Sequence, residues 1–161
     1  MKKFVFLAGI LALAAASQAQ APAGLPLTAL GYDSQLGHVT ASLPLGSDRL
    51  DLGLGFNYTT DPAAGSENLT FGLSGYYVKT LNTWGPVANN VAGGAVFSLL
   101  DSGDPRVELF AGFQPEVTLL DRLVIATRFG VKAQFIEPGF SLQTVGDKIS
   151  IVEGLIFKIR F

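Results

Sequence analysis

The chain ends on Leu155-Ile156-Phe157-Lys158-Ile159-Arg160-Phe161, and this stretch decides how the rest is read. Successive side chains of an extended strand point to opposite faces. Leu155, Phe157, Ile159 and Phe161 therefore form one apolar face, and Ile156, Lys158 and Arg160 a mostly basic one. Working back from this end, the same two-residue alternation recurs between turn signals. In 36–45, Val39, Ala41, Leu43 and Leu45 oppose His38, Thr40 and Ser42; in 49–59, Leu50, Leu52, Leu54, Phe56 and Tyr58 oppose Asp51, Gly53, Gly55 and Asn57. In 68–80, Leu69, Phe71, Leu73 and Tyr77 oppose Thr70, Gly72, Ser74 and Tyr76. Segments 106–117 and 122–135 alternate in the same way, placing Glu108, Glu116, Arg128 and Lys132 on the less apolar face. Segment 91–100 is small or apolar on both faces, 139–145 is short, and 148–161 closes the chain.

Eight strands follow from this count, with 20–35 either an N-terminal lead-in or an extra strand, and the fold class is all-β. Nineteen glycines argue against helices, since each weakens a helix interior by about 1 kcal/mol. The amino terminus has a different character. Lys2 and Lys3 precede an apolar run from Phe4 to Ala16, and Ser17-Gln18-Ala19 fits a small-x-small cleavage site. Residues 1–19 read as a signal peptide cut after Ala19. The apolar run is short for a helix spanning a bilayer, which takes about 20 residues. No cysteine is present, so neither disulfides nor a lipid-modified cysteine enter the argument.

The formal net charge is −2, and becomes −4 when Lys2 and Lys3 leave with the signal. No basic stretch suited to tracking a phosphate backbone is present, which excludes nucleic acid as an expected partner.

The terminal Leu155, Phe157, Ile159, Phe161 pattern resembles the last strand of Gram-negative outer-membrane β-barrels. In size and pattern, 36–161 is similar to the eight-stranded barrel domain of the OmpA/OmpX type. The resemblance implies a closed, antiparallel, up-and-down transmembrane barrel in the cell outer membrane. It also implies Phe161 as part of the signal read by the barrel-assembly machinery, periplasmic chaperones as partners in transit, lipid and lipopolysaccharide as the surroundings, and a monomer. A soluble lipocalin-like cup is the competing expectation, and it inverts the two faces: the apolar face would be core and the other solvated. Glycine on the less apolar face (Gly53, Gly55, Gly72, Gly94, Gly112, Gly130, Gly154), with few long charges between, suits a crowded lumen better than a solvated surface. Tyr58, Tyr77 and Trp84 are the expected interfacial anchors.

The lumen is then expected to hold Asp51, Glu108, Glu116, Arg128, Lys132, Lys158 and Arg160 as a charge network. Charges in such a place must pair, because burying one alone is costly. A side-chain-filled interior follows from the small strand number; the alternative is a narrow channel for small solutes.

Signals for catalysis are thin, and no catalytic residue, metal or cofactor is assigned. Some eight-stranded barrels modify lipid A with His and Ser near the outer rim, but His38 is the only histidine and stands in no matching motif. Asp101-Ser102-Gly103-Asp104 lacks the spacing of a calcium loop. With the first strand at 36–45 rising from the periplasm, His38 lies at its inner end. The outward connections then fall near 46–48, 81–90, 119–121 and 146–148, with 81–90 the only sizeable one. An extra strand before 36 would invert these sides unless another strand assignment also fails. The expected role is structural, in envelope integrity or surface interaction.

Overall fold

The computed structural model describes residues 27–61, 66–99, 105–136, 139–145 and 155–161. The expected signal segment 1–19 lies outside them. Eleven strands follow in order: β1 Ala29–Asp33, β2 His38–Leu45, β3 Asp48–Asp61, β4 Ser66–Trp84, β5 Val87–Leu99 and β6 Pro105–Phe113. They continue as β7 Glu116–Leu119, β8 Leu123–Thr127, β9 Phe129–Ile136, β10 Gly139–Val145 and β11 Leu155–Arg160. All pairings are antiparallel, and the β5–β7 pairing closes the sheet on itself.

Eleven segments occupy eight positions in the wall, giving a closed antiparallel up-and-down barrel. Strands β6 and β7 are one strand interrupted at Gln114-Pro115, where proline has no N–H to give the ladder. Their register against β5 is continuous across the break, from Val91↔Phe113 to Ala88↔Glu116. Strands β8 and β9 are likewise one strand interrupted at Arg128, since Phe113↔Phe129 and Glu116↔Ala126 share a register.

The eighth position is shared by β10 and β11, and here the sequence-based division of strands is corrected. Strand β10 pairs with β9 (Val145↔Gly130) and β11 with β8 (Leu155↔Thr127). Continued in register, position 148 would face Thr127; Leu155 does so instead, which is an insertion of seven residues. An odd insertion reverses parity: Ser141 and Val145 face inward in β10, whereas Ile156 and Lys158 do so in β11. The segments 139–145 and 148–161 therefore look like two strands in sequence and form one wall position.

The vacant position is taken by β1, inside the stretch 20–35 left open between lead-in and strand. It joins β11 to β2 (Tyr32↔Phe157, Tyr32↔Val39) and seals the barrel. The total stays at eight while every connection changes side. Phe161 donates its N–H to the Thr28 carbonyl at 3.2 Å, so the two ends of the described barrel lie together. The tight turns after β2, β4 and β7 are at this end; the β1–β2 turn and the last described residues of β3, β5 and β9 are at the other. Gly46 and Gly85 adopt positive φ (65° and 56°), as tight hairpins require. The expected outward loop 81–90 is also corrected. Strand β4 runs on to Trp84, and a bulge between Thr80 and Asn82 shifts the register on the way.

Wall height is uneven. Strand β2 meets β3 only as far as Val39↔Leu54, so the β3–β4 hairpin continues past it, away from the termini. At the terminal end β4 runs past Arg49↔Val78, its last pair with β3, and continues with β5 alone. Among the described residues, the interior holds an apolar cluster of Tyr76, Val78, Ala92, Val96 and Phe110, against which Leu36 and Val145 pack.

Candidate functional site

Alternation puts alternate residues of each strand into a narrow lumen, and the lumen is where the chemistry-bearing side chains meet. Nearest the termini, Arg49 projects inward from β3 two residues before Asp51, so both reach one space. Its Nε lies 3.1 Å from Asp51 Oδ1, and its two terminal nitrogens grip both oxygens of Glu116. Lys158 Nζ, from β11, is 2.5 Å from Asp51 Oδ2 and 3.9 Å from Glu116. Ser42 donates its hydroxyl to Asp51 Oδ1 at 2.6 Å. Arg160 reaches Glu116 at 3.9 Å with its side chain 44% exposed, so it belongs to the mouth of the lumen.

Mid-lumen, Gln114 carries the network onward. Its Nε2 donates to Glu116 at 2.9 Å, while its Oε1 accepts from Arg128 Nε at 2.8 Å. Arg128 NH1 stands 2.5 Å from Asp33 Oδ2, and the guanidinium lies 3.7 Å above the Tyr76 ring. Asp33 Oδ1 accepts the N–H groups of Gln35 and Leu36, which ties the β1–β2 turn to the same carboxylate. Asp33, Gln114, Val78 and Ile156 are all fully buried at this level, forming a septum. Three carboxylates (Asp33, Asp51, Glu116) meet three cations (Arg49, Arg128, Lys158), so the septum balances its own charge. That balance offsets a desolvation cost of several kcal/mol per ion.

Beyond the septum, away from the termini, a smaller group forms around Glu108. Lys132 Nζ is 3.2 Å from one of its oxygens, and Arg106 pairs with the other. The seven charges read from the sequence thus fall into two groups. Asp51, Glu116, Arg128, Lys158 and Arg160 belong to the septum and its terminal side, and Glu108 and Lys132 to the far side. Asp33, Arg49, Tyr76, Gln114 and Arg106 also take part. Arg49 and Arg106 share the parity of Asp51 and Glu108, a signal the sequence did carry. Asp33 was hidden by the open status of 20–35.

His38 is the second feature of the far side. It opens β2, next to the β1–β2 turn and remote from the termini, which corrects its expected place at the inner end of the first strand. Its ring fills a notch floored by Gly53, Gly55 and Gly72; a Cβ on Gly72 would stand 2.5 Å from Nε2. Nδ1 and Ser74 Oγ are 2.9 Å apart. That distance suits a nucleophile and its base, but Nε2 faces the glycine wall, and Ser74 is not among the residues lining the adjoining cavity. The arrangement packs a histidine and satisfies it.

Cavities lie on both sides of the septum. One of about 260 Å³ on the terminal side is bounded by Ser42, Arg49, Glu116, Lys158 and Arg160, and opens towards a mouth of about 550 Å³ near Gly85 and Asp121. The other, of about 230 Å³, is bounded by Leu36, His38, Tyr76, Phe110, Arg128 and Lys132. Among the described residues, no cluster of three His, Cys, Asp or Glu side chains gathers for a metal.

In the terminal strand, Leu155, Phe157 and Ile159 face outward between β1 and β8, and Phe161 is exposed beyond them. Trp84 is 85% exposed at the terminal end, and Tyr77 lies on the outer face with its hydroxyl donated to Asp48. The side chain of Tyr58 falls outside the described residues. No protein-family model, no curated protein and no solved structure matches the chain, so geometry alone carries the functional reading.

Proposed function

We propose that this chain is a small structural protein of the Gram-negative outer membrane, a barrel plugged by its own side chains that serves envelope integrity or surface interaction. The observation that carries this reading is the distribution of polarity. The wall turns Leu54, Phe56, Leu73, Leu109, Phe113 and Leu142 outward and exposed, while Asp33, Asp51, Glu116, Arg128 and Lys158 are buried inside. A soluble barrel needs the reverse, an apolar interior and a hydrated outer face. Lipid around the wall resolves the contradiction, since hydrocarbon welcomes the outer face. The tight turns at the terminal end match the short periplasmic turns of such barrels; on this reading the taller β3–β4 hairpin faces the cell surface.

Against the channel reading stands the septum of Asp33, Gln114, Arg128 and Ile156 across the lumen. Against catalysis stands the packing of His38, whose Nε2 is held against the glycine wall at Gly72. The test is gel mobility of unheated and boiled protein after refolding of residues 20–161 into detergent micelles. A mobility shift on boiling, with β-type circular dichroism only in detergent, is the expected result. Folding in plain buffer without detergent would overturn the reading.

A further inference from the structure

The cavity on the far side of the septum is built unlike the rest of the lumen. Near the termini Arg49, Asp51, Glu116 and Lys158 each have two or more ion-pair partners, whereas Lys132 has one among the described residues, Glu108, which it shares with Arg106. Lys132 is also the direct cross-strand partner of Phe110, whose ring meets Tyr76 edge-on at a centroid distance of 6.0 Å. Leu36 and Val145 pack on the apolar cluster to which this pair belongs. The result is a cavity of about 230 Å³ in which an aromatic and aliphatic patch adjoins three cations, Lys132, Arg106 and Arg128, and one carboxylate, Glu108, with Arg128 stacked over the Tyr76 ring. It is smaller than the roughly 300–1,000 Å³ of drug-sized sites.

We propose that this cavity binds a small monocarboxylate with a flat apolar body. The carboxylate pairs with Lys132 Nζ in place of its half-share of Glu108, and the body lies against Phe110, Tyr76, Leu36 and Val145. A neutral molecule of the same shape gains the apolar contacts alone. The inference rests on the barrel and its lumen and does not require the membrane placement.

Calorimetric titration of the folded protein with benzoate tests it, using benzamide as the neutral isostere and empty micelles as the blank. The gel-mobility shift reports folding of each variant independently. Wild type is expected to bind benzoate with a Kd of about 1 mM or tighter, and benzamide at least about tenfold more weakly, a difference of about 1.4 kcal/mol. Lys132→Gln should weaken benzoate by about tenfold or more. Glu108→Gln should tighten it several-fold, because Lys132 loses its competing partner. The two variants move affinity in opposite directions, so misfolding cannot imitate the pattern, and either alone remains decisive if the other does not fold. Absence of benzoate binding by folded wild type, equal binding of benzamide, or indifference to a folded variant would each overturn the proposal. Failure of the membrane reading would show only as folding without detergent, and the same titration would then be run in buffer.

Discussion

Lys158, three residues from the carboxyl end, places its Nζ 2.5 Å from Oδ2 of Asp51 on the third strand, 107 residues earlier. Both side chains are almost wholly buried, and Arg49 and Glu116 complete a four-membered cluster with them. The last strand therefore ties the lumen together as well as closing the wall.

Replacing Lys158 by Met should leave Asp51 and Glu116 short of a cation and cost about 3 kcal/mol, near the lower end for a broken buried pair because Arg49 remains. Adding Asp51→Asn should recover part of that loss, since the uncompensated charge is then removed. Urea melts of the refolded barrel, combined as a double-mutant cycle, would measure the coupling. A midpoint unchanged in Lys158→Met would sink the network as a source of stability.

The septum predicts a sealed barrel. Wild-type protein in planar bilayers should show no steady conductance, whereas Arg128→Ala, which removes the bonds to Gln114 and Asp33, should produce discrete openings. Arg128 lines the far cavity, so its truncation is expected to open that cavity towards the terminal one. Equal conductance in the two proteins would place the barrier elsewhere.

The glycine notch around His38 makes a paired prediction. Gly72→Ala brings a methyl to 2.5 Å from Nε2 and should destabilise the barrel by about 1–3 kcal/mol, the usual cost of overpacking. In a His38→Ala background the same change should cost little. Thermal melts of the four proteins decide it, and a Gly72→Ala penalty that persists without the imidazole would point to the backbone instead.

Topology can be read by labelling single cysteines in intact cells with a membrane-impermeant maleimide. Gln35→Cys, in the β1–β2 turn, should be labelled, and Ser47→Cys and Thr83→Cys, at the terminal end, should be protected. The opposite pattern would reverse the barrel in the membrane.

Much of this was legible locally. Residues two apart in a strand share a face whatever the strand pairs with. That is why Asp51, Glu108, Glu116, Arg128, Lys132 and Lys158 could be assigned to one side from sequence, and why the interruptions at Pro115 and Arg128 did not disturb the parity. The glycines at 53, 55 and 72 could be seen as small and inward. Their purpose, room for the ring of His38, could not, because the histidine comes from another strand.

The sequence by itself determined the all-β character, the alternation, and which residues share a face, since these follow from the geometry of a single extended chain. Only the tertiary structure decided that Ala29–Asp33 completes the wall, that β10 and β11 share one position, and that His38 lies away from the termini. It alone decided that Lys158 meets Asp51 and Arg128 meets Asp33. The physical reason is register. Each pairing depends on how far every strand has slid against its neighbour, and one closure sums those slides around the whole barrel. A seven-residue insertion that reverses parity is therefore absorbed by the ring as a whole and leaves no local mark of where it belongs.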